Sequence, residues 1–251
     1  MRQFNLNFRN ALLVSVPLIL AGLPMQASEQ DRRIENSAKN SYNFKTHLKD
    51  DTIKVESSAG VVTLTGTVSR DYHKFLAQDT VAGLAGVKSV DNQLVVVGDQ
   101  PAEHSDGWIT MKVKTVLAFH KNVSAMGTEV STENGVVTLS GKVENAAQKQ
   151  LTAEYAKDVE GVTSVRNNLV IDKTEHQTVG EKVDDTSITA QVKTTLLFHK
   201  STHALATKVT TKDGVVSLHG EAKNGAERDL VTKLVEDVHG VKMVQNRMTV
   251  K

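Results

Sequence analysis

The sequence predicts an α+β protein built from three tandem small domains, each running helix–strand–strand–helix–strand. Three observations carry that expectation. A heptapeptide recurs as GVVTLTG (Gly60–Gly66), GVVTLSG (Gly135–Gly141) and GVVSLHG (Gly214–Gly220). The apolar residues around it follow a helical period, then a strand period, then both again. Polar stretches with no apolar period separate one copy from the next.

The copies keep strict register, and repeats of this kind define the architecture before any single element does. Counting from Gly66, Gly141 and Gly220, another glycine follows 20 residues on (Gly86, Gly161, Gly240), and an asparagine six beyond that (Asn92, Asn167, Asn246). Phe44, Phe119 and Phe198 each precede the first glycine of the heptapeptide, Gly60, Gly135 or Gly214, by 16 residues. Ile34, Ile109 and Ile188 lie ten residues before the Phe, and Asp31, Asp106 and Asp185 three before the Ile. The domains are therefore placed at 31–97, 106–172 and 185–251, with linkers at 98–105 and 173–184.

The first element of each copy reads as a helix. Ile109, Val113, Val116 and Leu117 fall on one face, as do Ile188, Val192 and Leu196, and more weakly Ile34, Ala38 and Tyr42. Asp31, Asp106 and Asp185 stand where an N-cap would. Two alternating strands follow, joined by a tight turn that Asn134-Gly135 and Asp213-Gly214 favour and Ala59-Gly60 favours less. The second helix carries Leu76, Thr80, Val81 and Leu84 in copy one, Leu151, Tyr155, Ala156 and Val159 in copy two, and Leu230, Leu234, Val235 and Val238 in copy three. Gly86, Gly161 and Gly240 are expected at its C′ position. The last strand alternates through Val90, Leu94 and Val96 and their equivalents.

A right-handed strand–helix–strand crossover makes two of the strands parallel. Each unit is then a three-stranded mixed sheet with two helices on one face. Units this small bury little surface alone, so a neighbouring copy or the other sheet face is expected to complete the burial.

Composition narrows the function classes. The chain has 251 residues, no cysteine, 4% aromatic residues and a formal charge of +1. No disulfide, thiolate metal site, thiol nucleophile or lipid-modified cysteine is possible, and neither a basic footprint nor an aromatic stacking surface for nucleic acid is present. The N-terminus pairs Arg2 and Arg9 with an apolar run, Ala11–Leu23, and small residues at Ala27 and Ser28. This is the plan of a secretory signal over 1–27; Met25 departs from the preferred cleavage pattern and leaves an uncleaved anchor as the alternative. Removing 1–27 takes away two arginines and brings the formal charge to −1.

The segments YNFKTHLKDDTIKV (Tyr42–Val55), GVVTLTGTV (Gly60–Val68) and GVKSVDNQLVV (Gly86–Val96), with GVTSVRNNLVI and GVKMVQNRMTV in the later copies, resemble the BON-domain family. Chains of this layout are similar to the osmotically inducible periplasmic proteins of Gram-negative bacteria. The resemblance implies a non-enzymatic envelope role in the periplasm: binding anionic phospholipid membrane surfaces or, alternatively, acting as an ATP-independent chaperone for exported or outer-membrane proteins. Without a lipobox cysteine the protein is expected to be soluble rather than a lipoprotein.

No catalytic constellation recurs at matched positions, and no cofactor or metal is expected. Of nine histidines, only His199 and His203 have a helical i, i+4 spacing, and His120 and His199 are read as cations at a helix C-terminus. The asparagines are assigned to backbone groups at the sheet edge, and the glycines Gly60, Gly66, Gly86, Gly135, Gly141, Gly161, Gly214, Gly220 and Gly240 to turns and caps. Trp108 with Lys112, Lys114 and Lys121 is the candidate membrane contact, since an indole among ammoniums suits a headgroup region; packing into the core or between copies is the alternative for Trp108.

Overall fold

The computed structural model describes residues 28–98, 100–123, 125, 127–172, 182–202 and 207–251. The expected signal segment 1–27, most of the second linker and His203 lie outside the described residues. Unit one contains α1 (Glu29–Asn40), α2 (Tyr42–Thr46), β1 (Thr52–Ser58), β2 (Val61–Val68), α3 (Asp71–Ala82), β3 (Ser89–Asn92) and β4 (Val95–Val96). Unit two contains α4 (Asp106–Phe119), β5 (Thr128–Glu133), β6 (Val136–Val143), α5 (Ala146–Asp158), β7 (Ser164–Asn167) and β8 (Val170–Ile171). Unit three contains α6 (Asp185–Phe198), β9 (Thr207–Lys212), β10 (Val215–Ala222), α7 (Gly225–Glu236), β11 (Met243–Asn246) and β12 (Thr249–Val250).

The repeated heptapeptide forms the central strand of every sheet. In unit one β2 pairs antiparallel with β1 and parallel with β3 and β4, and units two and three repeat this order. Val62, Leu64 and Val68 point to one face, where they meet Ile34 and Ala38 from α1 and Leu76, Ala77 and Val81 from α3. Both helices thus cover the same side of a mixed sheet, as the alternating pattern requires.

The third strand is interrupted, and the repeated Gly and Asn explain how. Leu64 pairs with Asn92 and Thr67 with Val95, so register is kept across the gap. The gap lies opposite Gly66, whose φ is +114° and whose added Cβ would sit 2.0 Å from the Thr52 carbonyl oxygen. Asn92 Oδ1 accepts from Leu94 N at 3.2 Å while its Nδ2 donates to the Lys74 carbonyl of α3 at 3.0 Å. Asn167 does the same with Leu169 N and Lys149 O (3.3 and 2.7 Å), and Asn246 with Met248 N and Arg228 O (2.9 Å each). The asparagine therefore satisfies backbone groups at the break and ties the third strand to the second helix.

Three expectations are corrected. The repeated Asp is not the N-cap: Ser28, Ser105 and Asp184 hold that place. Asp106 sits one residue inside the helix, and its carboxylate accepts from Asn134 N (2.7 Å) and Gly135 N (2.8 Å) in the hairpin turn. Asp185 grips Asp213 N (2.6 Å) and Gly214 N (2.8 Å), and Asp31 grips Ala59 N (3.1 Å) and Gly60 N (3.0 Å). Hydrogen bonds from Ser28, Ser57 and Gly60 hold the Asp31 carboxyl well below the usual range. The residue fastens the first helix to the turn, a charge-assisted contact that stabilises more than a neutral one.

Gly86, Gly161 and Gly240 are not at C′ either. The second helices end earlier, at C-caps Gly83, Val159 and Asp237. These glycines stand in the turn before the third strand, with φ of +92°, +86° and +82°. The first helix and the segment leading into it pack so closely there that a Cβ on Gly240 would lie 2.7 Å from Val183 and 2.9 Å from Ile188. Finally, the first helix of unit one is broken at Ser41, whose φ and ψ of −64° and 152° are extended. Its hydroxyl donates to the Ala38 carbonyl (2.8 Å) and accepts from Phe44 N (3.5 Å), ending α1 and starting α2.

Two variants test these assignments. Ala59 holds the left-handed conformation, φ +52°, that Asn134 and Asp213 hold in the other units. Because this conformation disfavours an L-residue with a Cβ by ~1–2 kcal/mol and Asn least, Ala59→Asn should raise stability by about 1 kcal/mol in denaturant unfolding. Asp185→Ala removes two charge-assisted acceptors and should destabilise by roughly 2 kcal/mol.

Candidate binding surface

The outer flanks of the helices face neighbouring units, and units two and three dock reciprocally. Immediately after α4, Lys121 N donates to the Asp237 carbonyl (2.9 Å) and His239 N to the Phe119 carbonyl (2.9 Å). After α6 the equivalent groups repeat the pattern: Lys200 N donates to Asp158 O (3.0 Å) and Glu160 N to Phe198 O (3.3 Å). The side chains follow. Lys121 Nζ reaches Glu236 O (2.7 Å), and Lys200 Nζ reaches Lys157 O (2.8 Å), each capping the C-terminal carbonyls of the other unit's second helix.

Imidazole and carboxylate complete this local two-fold. His199 Nδ1 lies 2.8 Å from Asp158 Oδ2, and His120 Nδ1 3.4 Å from Asp237 Oδ2. Asn122 and Ser201 donate to the second oxygen of Asp237 and Asp158 respectively. Tyr155 stacks on His120 with ring centroids 3.8 Å apart, and its hydroxyl donates to Asp237 at 2.6 Å. Desolvation by burial, reinforced by that hydrogen bond to an anion, raises the Tyr155 pKa. The reading of His120 as a helix-terminal cation is corrected, because burial disfavours its charged form; His120 and His199 are both buried and aimed at carboxylates of the neighbouring unit.

Unit one docks differently. Helix α6 is buried on nearly every side, and the face that its apolar period leaves out carries Ser187, Gln191 and Thr194, all 0% exposed. Asn43 of α2 meets this face: its N donates to Ser187 Oγ (3.1 Å), its Nδ2 to Thr80 Oγ1 (2.8 Å), and its Oδ1 accepts from Gln191 Nε2 (2.8 Å). Lys193 pairs with Asp79 at 2.7 Å. The repeated Phe119 leaves its own unit to join the core of unit one, and Phe198 joins that of unit two. The expectation that neighbouring copies complete the burial is met by these contacts.

The four candidate membrane-contact residues do not gather into one exposed patch. Trp108 is half-buried against the core of unit two, with His104 at 4.8 Å between ring centroids. Lys112 is buried; its ammonium lies 3.5 Å from the Trp108 ring centroid and 2.9 Å from Glu160 Oε2. The hydrogen bond from Lys112 lowers the Glu160 pKa. Lys121 serves the seam described above, and Lys114 stays exposed. Among the described residues no helix is long and apolar enough to cross a membrane, and no group of three His, Asp or Glu side chains converges as metal ligands would.

The seam was missed because its residues match in only two copies. His-Lys follows the repeated Phe in copies two and three, whereas copy one has Lys45-Thr46. Asp158 and Asp237 precede the repeated Gly by three residues, where copy one has Gly83. A comparison of copies for what differs, rather than for what recurs, would have found the pair.

The buried imidazoles set a pH dependence. Burial lowers the pKa of His47 to about 4 and also lowers His120 and His239. In the unfolded chain such rings titrate near 6.5. As pH falls below that value the unfolded chain binds protons that the folded chain does not, so stability is complete above pH 6.5 and is lost progressively toward pH 4. Thermal unfolding from pH 7.5 to 5 should show this loss, and His47→Phe, which keeps the ring against Phe119, should reduce it.

Comparisons with known proteins agree with the repeat. The profile of the BON domain matches residues 30–98, 105–173 and 184–251. The chain is 36% identical over 201 residues to osmotically-inducible protein Y of Escherichia coli K12, a match spanning 79% of this chain and 98% of that protein. It is 34% identical over 118 residues to the 21 kDa hemolysin of Actinobacillus pleuropneumoniae, covering 45% of this chain and 59% of that one. With outer membrane lipoprotein DolP of Haemophilus influenzae the identity is 33% over 125 residues, covering 47% and 64%. Matched in all three units and along most of its length, the chain belongs to the BON-domain family.

Proposed function

We propose that this chain is a non-enzymatic envelope protein, exported to the periplasm by its first 27 residues, that works in osmotic stress by engaging anionic phospholipid surfaces. The observation that carries this reading is the match to osmotically-inducible protein Y across 98% of that protein, supported by the similarity to an outer membrane lipoprotein. On the surface the reading rests on the half-buried Trp108, which opens α4 one turn and a half before the exposed Lys114. An indole edge and an ammonium can share a headgroup layer, and a rigidly docked chain presents them in fixed geometry.

A second reading has its own support. Val95 and Val170, in the short outer strands β4 and β8, are 58% and 62% exposed, and Val97 and Ile171 beside them are also open. Apolar, outward-facing sheet edges pair readily with extended polypeptide, the contact an ATP-independent chaperone for exported proteins would use.

Sedimentation with vesicles separates the two. The lipid reading expects binding to phosphatidylglycerol vesicles that weakens in salt, little binding to phosphatidylcholine, and a several-fold loss in Lys114→Glu, whose side chain is exposed, at unchanged melting temperature. No binding to either vesicle at low salt, together with suppressed aggregation of an unfolded client, would favour the chaperone.

A further inference from the structure

The local two-fold between units two and three builds a groove that neither unit has alone. It measures about 360 Å³ and runs between α5 and α7. Leu151 and Tyr155 from one helix face Leu230 and Leu234 from the other, with His199 and Lys200 of the seam closing one side. These are equivalent positions of the repeat, so the apolar floor is made by the same register meeting itself. An apolar trough of this volume lies at the small end of ligand sites, which span ~300–1,000 Å³. It is too slight for a helix, ~10–12 Å across with its side chains.

Charge around the mouth decides what fits. Lys157, Lys200 and Lys233 line it, against Glu154 and Asp158. Asp158 is already engaged by His199 and Ser201, which hold its pKa low despite burial. Lys200 is engaged by backbone carbonyls of unit two. Lys157 and Lys233 are exposed, and their ammoniums make no ion pair or hydrogen bond among the described residues. The groove is thus an apolar trough with two uncommitted cations at its rim and one uncommitted carboxylate, Glu154.

We propose that this groove binds one single-chain anionic amphiphile, a fatty-acid carboxylate, with the chain between Leu151, Tyr155, Leu230 and Leu234 and the carboxylate between Lys157 and Lys233. This goes beyond surface binding: the ligand is a dispersed monomer, and Trp108 and Lys114 take no part. Because both units line the groove, occupancy favours the docked arrangement by mass action.

Dodecanoate below its micellar concentration is the probe, titrated into the protein lacking residues 1–27 by calorimetry and amide-shift mapping. Saturation at one per chain is expected, with shifts centred on α5 and α7. The pair Lys157→Glu/Lys233→Glu should weaken dodecanoate at least tenfold and leave dodecanol binding unchanged, while Lys114→Glu should change neither. Leu230→Trp, which fills the trough, should abolish both, and circular dichroism checks that each variant is folded. Shifts scattered over the surface, no saturation, or equal loss in Lys114→Glu would overturn the proposal. Equal wild-type affinity for dodecanol would identify an uncharged occupant and overturn the charge assignment. Vesicle binding of the unsubstituted protein is measured in parallel: dodecanoate binding without vesicle binding would overturn the surface reading alone, and vesicle binding without dodecanoate binding would overturn the groove alone.

Discussion

The constraint on which the rest depends is that a unit of about 65 residues cannot cover its own helices. Each sheet buries one face under two helices, and those helices then present a second flank that needs a partner. The chain supplies one internally. Helix α6 sits at the centre, its apolar stripe of Ile188, Val192 and Leu196 turned to its own sheet and its polar stripe of Ser187, Gln191 and Thr194 turned toward unit one. A helix enclosed on nearly every side is a core element whatever its pattern suggests.

The two kinds of docking are specified by different chemistry. Units two and three share His-Lys after α4 and α6 and Asp158 and Asp237 at the ends of α5 and α7, so the same groups are offered and accepted in both directions. Unit one lacks all three. At Gly83, its counterpart of Asp158, a Cβ would lie 3.1 Å from Thr186, so the absence of a side chain lets the start of α6 approach α3. Buried polar groups satisfied only by the correct neighbour give the arrangement its selectivity. Where satisfaction is incomplete and burial lowers the pKa, as at His120 and His47, acid finds the weak point.

Much of the fold was legible in the sequence. Val62, Leu64 and Val68 alternate as a half-buried strand must, and Ile109, Val113, Val116 and Leu117 repeat as a buried helix stripe must. The parallel pairing of β2 with β3 followed from the strand–helix–strand order. What the pattern did not reveal lies where polar residues are buried or where a contact spans distant segments. Asp106 looks like a cap because it opens a helix; its grip on Asn134 and Gly135 is visible only once the hairpin returns to that helix. Lys112 looks like a surface cation, but Glu160 lies 48 residues on. Gln191 reads as solvent-facing because nothing in its spacing announces Asn43 of unit one. Of the candidate site, Trp108 could be picked out by its chemistry, whereas the α5–α7 groove could not, since it exists only between units.

Mutual docking of the three units is the central claim, and solution X-ray scattering of the chain without residues 1–27 tests it most directly. Docked units predict a radius of gyration of about 17 Å, the value for one compact body of this length, with a single-peaked distance distribution. A markedly larger radius with separate intra-unit and inter-unit peaks would show three domains strung on linkers and contradict the account.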